Sequence, residues 1–476
     1  MRYKSLRVLL AGGTLLAMAA LTACGGNEKP AGADAGAGTS TGGNGDGSAA
    51  TGPVTLTLSV KTSDRFLELA KQKFEESHPN VKIEIKESVA APKSDGKMMI
   101  RTPGKPDPKD SEKFVSTLNT ELMSGKASDI ILTDGSFPYK KYADKKLLEN
   151  LNDLMKNDAS FKRDDYYANV FDAMLYKNGI YALPAKLSLN WMFGNTPALG
   201  GAKIDDAKWT WNDFKTLVEA QAKDADKDGN PDSFAMVNTD GAGLLSTIVD
   251  SSFGKLVDYG NKKFDAAMFA DMLKMSKALE DGKLITKERP DRMNVLFESF
   301  TPRFYDEVAL FKQMQFDGKG TLYNVPSYND NRGLSFTSDM LLSINAKSGH
   351  KKEAWEFVKF LLSEEMQKTR ELFGFAVNRK ASLEHQAKMK EIGSSDGKNQ
   401  IRMMSKDGKE FKPQPPEQKD IDAIEQALNG VRVYAETDPK VKAIIEQEAA
   451  PFFAGQKSVD EVVKTVQNKV STYLQE

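Results

Sequence analysis

The stretch from 54 to 85, VTLTLSVKTSDRFLELAKQKFEESHPNVKIEI, sets the fold. Val54, Leu56, Leu58 and Val60 alternate with other residues, the period of a strand with one buried face. From Asp64 to Ser77 the apolar residues fall at Phe66, Leu67, Ala70 and Phe74, a helical stripe, and His78-Pro79 stops it. Val81, Ile83 and Ile85 then restore the period of two. Further on, Phe114, Val115, Leu118 and Leu122 predict a helix over 112–123, closed by Gly125. Residues 129–133 read as a short buried strand ending at Asp134-Gly135. Strand, helix, strand, helix, strand is the pattern of an open, mostly parallel sheet with helices on both faces. Such sheets bind ligands beyond the carboxyl ends of their strands. The turns 61–64 and 134–139 are therefore the expected binding edge, with Asp64 and Asp134 as candidate ligand-binding residues. The intervening 91–110 stretch holds four prolines and several lysines and reads as a surface loop.

The N-terminus reads as an address. Arg2, Lys4 and Arg7 precede an apolar run from Val8 to Ala20, which is short of the roughly 20 residues that span a bilayer. The run leads into Leu21-Thr22-Ala23-Cys24, which resembles the lipobox of bacterial lipoproteins. Residues 1–23 are thus expected to be a signal peptide, and Cys24, the single cysteine, to carry the lipid that holds the protein at a membrane surface. Cleavage would remove three cations and take the formal charge from −1 to −4. Residues 24–53 follow as a Gly/Ala/Ser-rich tether, too poor in apolar side chains to offset its own ordering entropy.

Composition removes several function classes. Lys plus Arg number 66 against 67 for Asp plus Glu, so there is no basic excess to neutralise nucleic-acid phosphates. A mean hydropathy of −0.49 argues against a polytopic membrane protein. One cysteine excludes a disulfide framework, and His78, His350 and His385 are too few and too scattered to suggest a zinc hydrolase. The Gly-x-Ser-x-Gly spacing occurs at 38–42, inside the tether, and at 393–397, neither following a predicted strand as a nucleophile elbow must, and no phosphate loop or dinucleotide fingerprint is present.

Six further fragments occur in a telling order. They are Leu147-Leu148-Glu149-Asn150-Leu151, Asn178-Gly179-Ile180-Tyr181-Ala182-Leu183-Pro184, Phe193-Gly194-Asn195, and Trp209-Thr210-Trp211-Asn212-Asp213-Phe214. The helix from Ala354-Trp355 to Leu361, followed by Gln367, and the turn Gly374-Phe375-Ala376-Val377-Asn378-Arg379 complete the set. Together they resemble the extracellular solute-binding proteins, the family that includes the maltose-type receptors of ABC importers. Two positions depart from the pattern: Lys208-Trp209 stands where Pro-Lys is usual, and Ala376 where Pro is common.

The resemblance implies an α/β, two-lobed periplasmic-binding-protein-like fold of the class II type. Its ligand cleft lies between lobes joined by crossover hinge segments. It places lobe 1 at 54–187 and 306–345, and lobe 2 at 188–305 and 346–476, C-terminal helices included. It also implies an ABC permease as partner, capture of a small polar solute, most simply an oligosaccharide, and a monomer that needs no cofactor and does no chemistry. Two other classes stay open: a lipid-anchored carbohydrate-active enzyme, because carboxylate pairs abound, and a ligand-presenting partner of a membrane sensor kinase.

Within that frame, Ser188 and Asn190 interrupt an apolar crossing and Trp191 follows them, a mixed aromatic and polar set suited to a cleft. Gln315 and Phe316, after the 308–311 segment, and Phe336, before the return strand 340–345, are expected to bracket the cleft. Trp355 and Trp211 read as core, and Trp209 is ambiguous. One motif points to a metal. Asp224, Asp226, Asp228, Asn230 and Asp232, with Gly229 at the sixth position, follow calcium-loop spacing, although Ala235 stands where an EF-hand has its bidentate Glu. A structural Ca²⁺ is expected there, against the alternative of a solvated acidic turn.

Overall fold

The computed structural model describes residues 52–89, 108–222, 224, 227–229, 231–288, 294–328, 333–393, 403–404 and 410–475. The expected signal peptide, Cys24, nearly all of the tether, the loop from 91 to 107, Asp226 and Asn230 lie outside the described residues.

The chain runs through β1 (Val54–Val60), α1 (Arg65–Ser77), β2 (Val81–Glu87), α2 (Pro108–Ser124), β3 (Ile130–Thr133), α3 (Tyr139–Asp144), β4 (Leu183–Pro184), β5 (Lys186–Leu189) and β6 (Trp191–Asn195). It continues with α4 (Trp211–Gln221), α5 (Gly241–Leu256), α6 (Ala266–Asp281), β7 (Phe297–Phe300), α7 (Tyr305–Met314), β8 (Gly320–Asn324), β9 (Leu334–Thr337) and β10 (Leu341–Ile344). The C-terminal part holds α8 (Lys351–Leu361), β11 (Phe375–Ala376), α9 (Gln418–Gly430), β12 (Val431–Tyr434), α10 (Pro439–Phe453) and α11 (Val459–Gln475), with shorter elements between.

The opening stretch folds as its periodicity predicts. β1 buries Leu56 and Leu58, and α1 buries Phe66, Leu67, Ala70 and Phe74. The Asp64 carboxylate caps α1 by accepting from the Leu67 amide at 2.9 Å. α2 starts at Pro108, four residues before the predicted start, because proline suits the first helical turn. The main sheet has the order β2-β1-β3-β10-β4, with β1 parallel to β2 and β3 and with β10 antiparallel to its neighbours. Lys61 after β1, Asp134 after β3 and Asp339 before β10 therefore share one edge.

Two hydrophobic cores result, and they define two lobes. The first is built on the main sheet and gathers Leu58, Phe66, Phe114, Ile131, Leu342 and their neighbours. The second is mostly helical and gathers Trp211, Phe214, Ile248, Phe269, Val466 and theirs. Leu189 lies in the first and Met192 in the second; Phe297 lies in the second and Phe300 in the first; Tyr434 lies in the first and Val441 in the second. Residues 323–328 add a further excursion, since Tyr323, Val325 and Tyr328 pack on the second core while Leu310, Leu322 and Leu334 pack in or on the first.

The expected boundaries need correction at the C-terminal end. The described residues between 346 and 434 do not join the second lobe: Ala354, Trp355, Phe357, Phe375, Ile424 and Leu428 sit in the first core. The amphipathic stripe of α8 shows that one face is buried, but not against which sheet it packs, and here that face covers β10 and α1. Only from Val441 onward does the chain belong to the second core.

Candidate functional site

Two small sheets carry the chain between the cores. In the order β11-β5-β9-β12, β5 pairs antiparallel with β9, and β9 runs parallel to β12. Side chains alternate along a strand, so Leu187, Leu189, Phe336 and Tyr434 turn to the first core, while Ser188, Ser335 and Thr337 take the opposite face. That face looks toward the second lobe. Opposite it stands α5, started by Asp240, whose carboxylate accepts from the Gly243 amide at 2.8 Å. Leu244, Leu245, Ile248, Val249 and Leu256 of α5 are buried in the second core, leaving Thr247, Asp250, Ser251 and Lys255 on the other side.

Between these walls lies a chamber of about 350 Å³. The first lobe and the crossings contribute Asn190, Trp191, Ser335, Thr337 and Thr437, and the second lobe contributes Thr247, Asp250, Ser251 and Lys442. It continues into a second chamber of about 230 Å³, the two sharing Ser251, Val325 and Ser335. Hydroxyl groups dominate the first chamber, with one indole and one ion pair. Lys442 Nζ donates to Asp250 Oδ2 at 2.9 Å. Asp250 Oδ1 is 2.7 Å from the same ammonium but takes no hydrogen bond of suitable angle. Desolvation by the enclosing walls pushes the Asp250 carboxyl above its ordinary value, Lys442 opposing.

Of the sequence candidates, the structure brings Asn190 and Trp191 to this chamber. Trp191 is only 4% exposed and stacks on Phe300 with ring centroids 6.5 Å apart, so it is a core residue with one margin in the cavity. Ser188 lies opposite Thr337 on the same face but does not line the chamber. Phe336 is fully buried: the site residues on β9 are its neighbours Ser335 and Thr337, one step away in a period of two. Phe316 stacks on Phe193 at 5.4 Å and adopts a left-handed φ of 51°, a wall of the first core rather than of the cleft. Gln315 closes α7, its amide donating to the Phe311 carbonyl, and it too lies outside the chamber.

The two predicted carboxylates sit at the expected strand ends but serve the first lobe. Asp134 accepts from Lys61 at 2.5 Å and from the Ser136 hydroxyl and amide. Burial works to raise its pKa, but these donors outweigh it and hold the carboxyl below its ordinary value. Asp64 caps α1 and lies 3.8 Å from Lys186, a buried lysine also 3.3 Å from Asp339. Neither carboxylate lines the chamber. Of the chamber residues that the sequence reading missed, Thr247, Asp250 and Ser251 had a signal, polar residues at helical spacing within an otherwise apolar helix, whereas Lys442 had none.

Among the described part of the acidic loop, Asp224 accepts from the Asp228 and Gly229 amides at 3.1 and 3.0 Å, and Gly229 has a φ of 83°. This is the tight reversal that the spacing predicts, with the first carboxylate turned into its own loop. No group of three or more His, Cys, Asp or Glu side chains is arranged to hold a metal among the described residues. The expected set spans Asp226 and Asn230, which lie outside them. Nor is any described helix long and apolar enough to cross a membrane.

A family model described as "Bacterial extracellular solute-binding protein" matches residues 60–368. Among solved structures, the fold is similar to that of the sugar-binding protein MalE from Xanthomonas citri, at 13% identity and a TM-score of 0.56, covering 88% of this chain and 97% of that one. It is also similar to a sugar transporter protein from Rhizobium etli in an open conformation, at 16% identity and a TM-score of 0.54, covering 87% and 98%. A third is a periplasmic oligogalacturonide-binding protein from Yersinia enterocolitica, at 14% identity and a TM-score of 0.53, covering 89% and 98%.

Proposed function

The chain belongs to the bacterial extracellular solute-binding protein family, and on that footing we propose that it captures an oligosaccharide between its lobes and delivers it to the membrane subunits of an ABC permease. The observation that carries the reading is the first chamber: hydroxyls from both lobes, the Asp250–Lys442 pair and the margin of Trp191 converge on one space. A carboxylate accepts hydroxyl donors, an ammonium donates to ring and hydroxyl oxygens, and an indole covers the apolar side of a pyranose. Sugars named in the descriptions of structural neighbours support the same class. Groups on two lobes can hold one solute together only when the lobes are closed, so a bound solute favours the closed form. Delivery to the permease follows from that difference in shape, and the solute leaves unaltered.

Two parts of the proposal rest on sequence alone. Cys24, after cleavage of residues 1–23, carries the lipid that keeps the receptor at the outer face of the cytoplasmic membrane, with 24–53 as tether. The 224–232 loop binds a structural Ca²⁺ on the second lobe, its remaining coordination met by water or a distant carboxylate.

The test is a thermal-shift and calorimetric screen against saccharides, with the solute recovered and analysed afterwards. Saturable binding with an intact solute supports a receptor. Recovery of cleaved glycan would make it a carbohydrate-active enzyme. Deleting the gene and measuring sugar uptake against transcription separates transport from presentation to a sensor.

A further inference from the structure

The second chamber presents charge of one sign. Its charged lining residues are Lys140, Lys255, Arg432 and Glu436. Glu436 is 4% exposed and its carboxylate accepts from Lys140 at 2.5 Å, so the negative charge is sealed and already paired. Arg432 on β12 and Lys255 on α5 are exposed. Among the described residues, the accessible charges of this chamber are therefore cationic, with Arg432 on the first lobe and Lys255 on the second. The chain as a whole has no such excess, with 66 Lys plus Arg against 67 Asp plus Glu. A recess lined by one sign of charge concentrates the opposite sign.

The backbone puts Arg432 there. β9 and β12 slip register between Leu334 and Ser335: Leu334 lies against Val431 and Ser335 against Val433, which makes Arg432 the extra residue. Val431 and Tyr434 both stay in the first core while Arg432 turns out to the chamber. Bulges recur beside binding sites because they re-aim one side chain without moving its neighbours. Gly333 has a φ of 97°, and a Cβ on it would stand 3.1 Å from Arg432 Cγ, so the glycine admits the arginine stem. Arg432 Nη1 donates to the Asn429 and Val431 carbonyls, each at 2.7 Å, at the C-terminal end of α9. These neutral acceptors fix the guanidinium, and Nε and Nη2 have no partner among the described residues.

We propose that the captured solute is an acidic saccharide, and that its anionic group is taken in the second chamber by Arg432, with Lys255 as the cation of the other lobe. This rests on the sugar-capture reading above. A guanidinium offers a two-pronged donor edge that fits a carboxylate, a phosphate or a sulfate. An anion between cations of two lobes favours the closed form, so closure responds to the charge of the solute as well as to its hydroxyls.

The experiment is calorimetry of matched neutral and acidic saccharides on wild type, Arg432→Gln and Lys255→Gln. The pairs are glucose with glucuronate, galactobiose with digalacturonate, trehalose with trehalose 6-phosphate, and N-acetylgalactosamine with its 6-sulfate; the pair that binds assigns the anionic group. The acid of at least one pair binds about tenfold tighter than its neutral partner, the scale of one charge-assisted hydrogen bond. That preference falls below about twofold in Arg432→Gln and shrinks in Lys255→Gln, an exposed position that keeps the test open if the arginine variant loses stability. Raising NaCl from about 20 to 200 mM weakens the acid and not its neutral partner. Neutral saccharides that bind as tightly as their acids in every pair, or a preference that survives in both variants, overturn the proposal while leaving sugar capture intact. Absence of binding by every saccharide overturns the capture reading and this inference with it.

Discussion

Asp158 is a residue whose charge is used for architecture. Its carboxylate accepts from Trp355 Nε1 at 2.9 Å, Lys359 Nζ at 2.8 Å, and the amide and hydroxyl of Ser160. It thereby pins α8 to the first lobe. Burial works to raise its pKa, but Lys359, Ser160 and Trp355 prevail and hold it well below the ordinary range. A carboxyl with a depressed folded pKa contributes stability above its unfolded value, near 3.9, and loses it as pH falls toward the folded value. Asp158→Asn should therefore cost about 2 kcal/mol at pH 7, and the gap from wild type in urea unfolding should narrow between pH 4 and pH 2.5. A gap that stays constant across that window would show the charge to be irrelevant. Asp250 has the opposite sign. Its raised pKa means that it is neutralised in milder acid than an ordinary aspartate, so saccharide affinity should begin to fall earlier on acidification. Asp250→Asn should lower affinity about tenfold or more at pH 7 and flatten that acid limb in calorimetric titrations between pH 4 and 7. An unchanged limb in the variant would assign the pH dependence to another group.

At the scale of elements, the parity of β9 separates packing from binding. Phe336 points into the first core at 0% exposure, while Ser335 and Thr337 face the cavity. Phe336→Ala should destabilise the protein by about 3–5 kcal/mol through the cavity that it leaves. Thr337→Ala should move thermal stability by no more than about 0.5 kcal/mol yet weaken saccharide binding. If calorimetry finds Thr337→Ala binding like wild type, the cavity face of β9 is misassigned. The same strand shows what the sequence could and could not tell. The apolar stripe of α1 and the alternation of β1 were legible because each depends on contacts close in sequence. The face of Phe336 was not, because period two fixes which residues share a side but not which side meets the core. The placement of α8 was hidden for a related reason: its stripe records burial but not the surface that covers it, which is made by β10 just before it and by α1 far earlier in the chain. Asn190 and Trp191 were legible as a polar interruption beside an aromatic in an apolar crossing. Asp250 and Thr247 could have been read from the polar stripe in α5, whereas the role of Lys442 depends on α10 meeting α5.

At the scale of the whole molecule, neither lobe is a continuous piece of chain. The first core needs residues from 54 to 434, and the second draws on 192–297, on the 323–328 excursion and on 441–474. Each core can close only when distant segments have returned to it, so loss of either frees the crossings that the other needs. Large two-lobed proteins often unfold in steps, but this interleaving favours coupled loss of both cores. The tryptophans divide conveniently: Trp191 and Trp355 lie in the first core, and Trp209 and Trp211 in the second. A variant with Trp209 and Trp211 replaced by Phe reports the first core by fluorescence, and one with Trp191 and Trp355 replaced reports the second. In each variant, the fluorescence midpoint in urea should coincide with that of far-UV circular dichroism, which follows both lobes. A saturating saccharide at one hundred times its Kd should then raise the unfolding free energy of wild type by about 2.7 kcal/mol, moving both probes together. If the fluorescence and dichroism midpoints separate, the lobes unfold independently. The crossings would then act as simple links rather than shared structure, and a ligand bridging the lobes would shift the two transitions unequally.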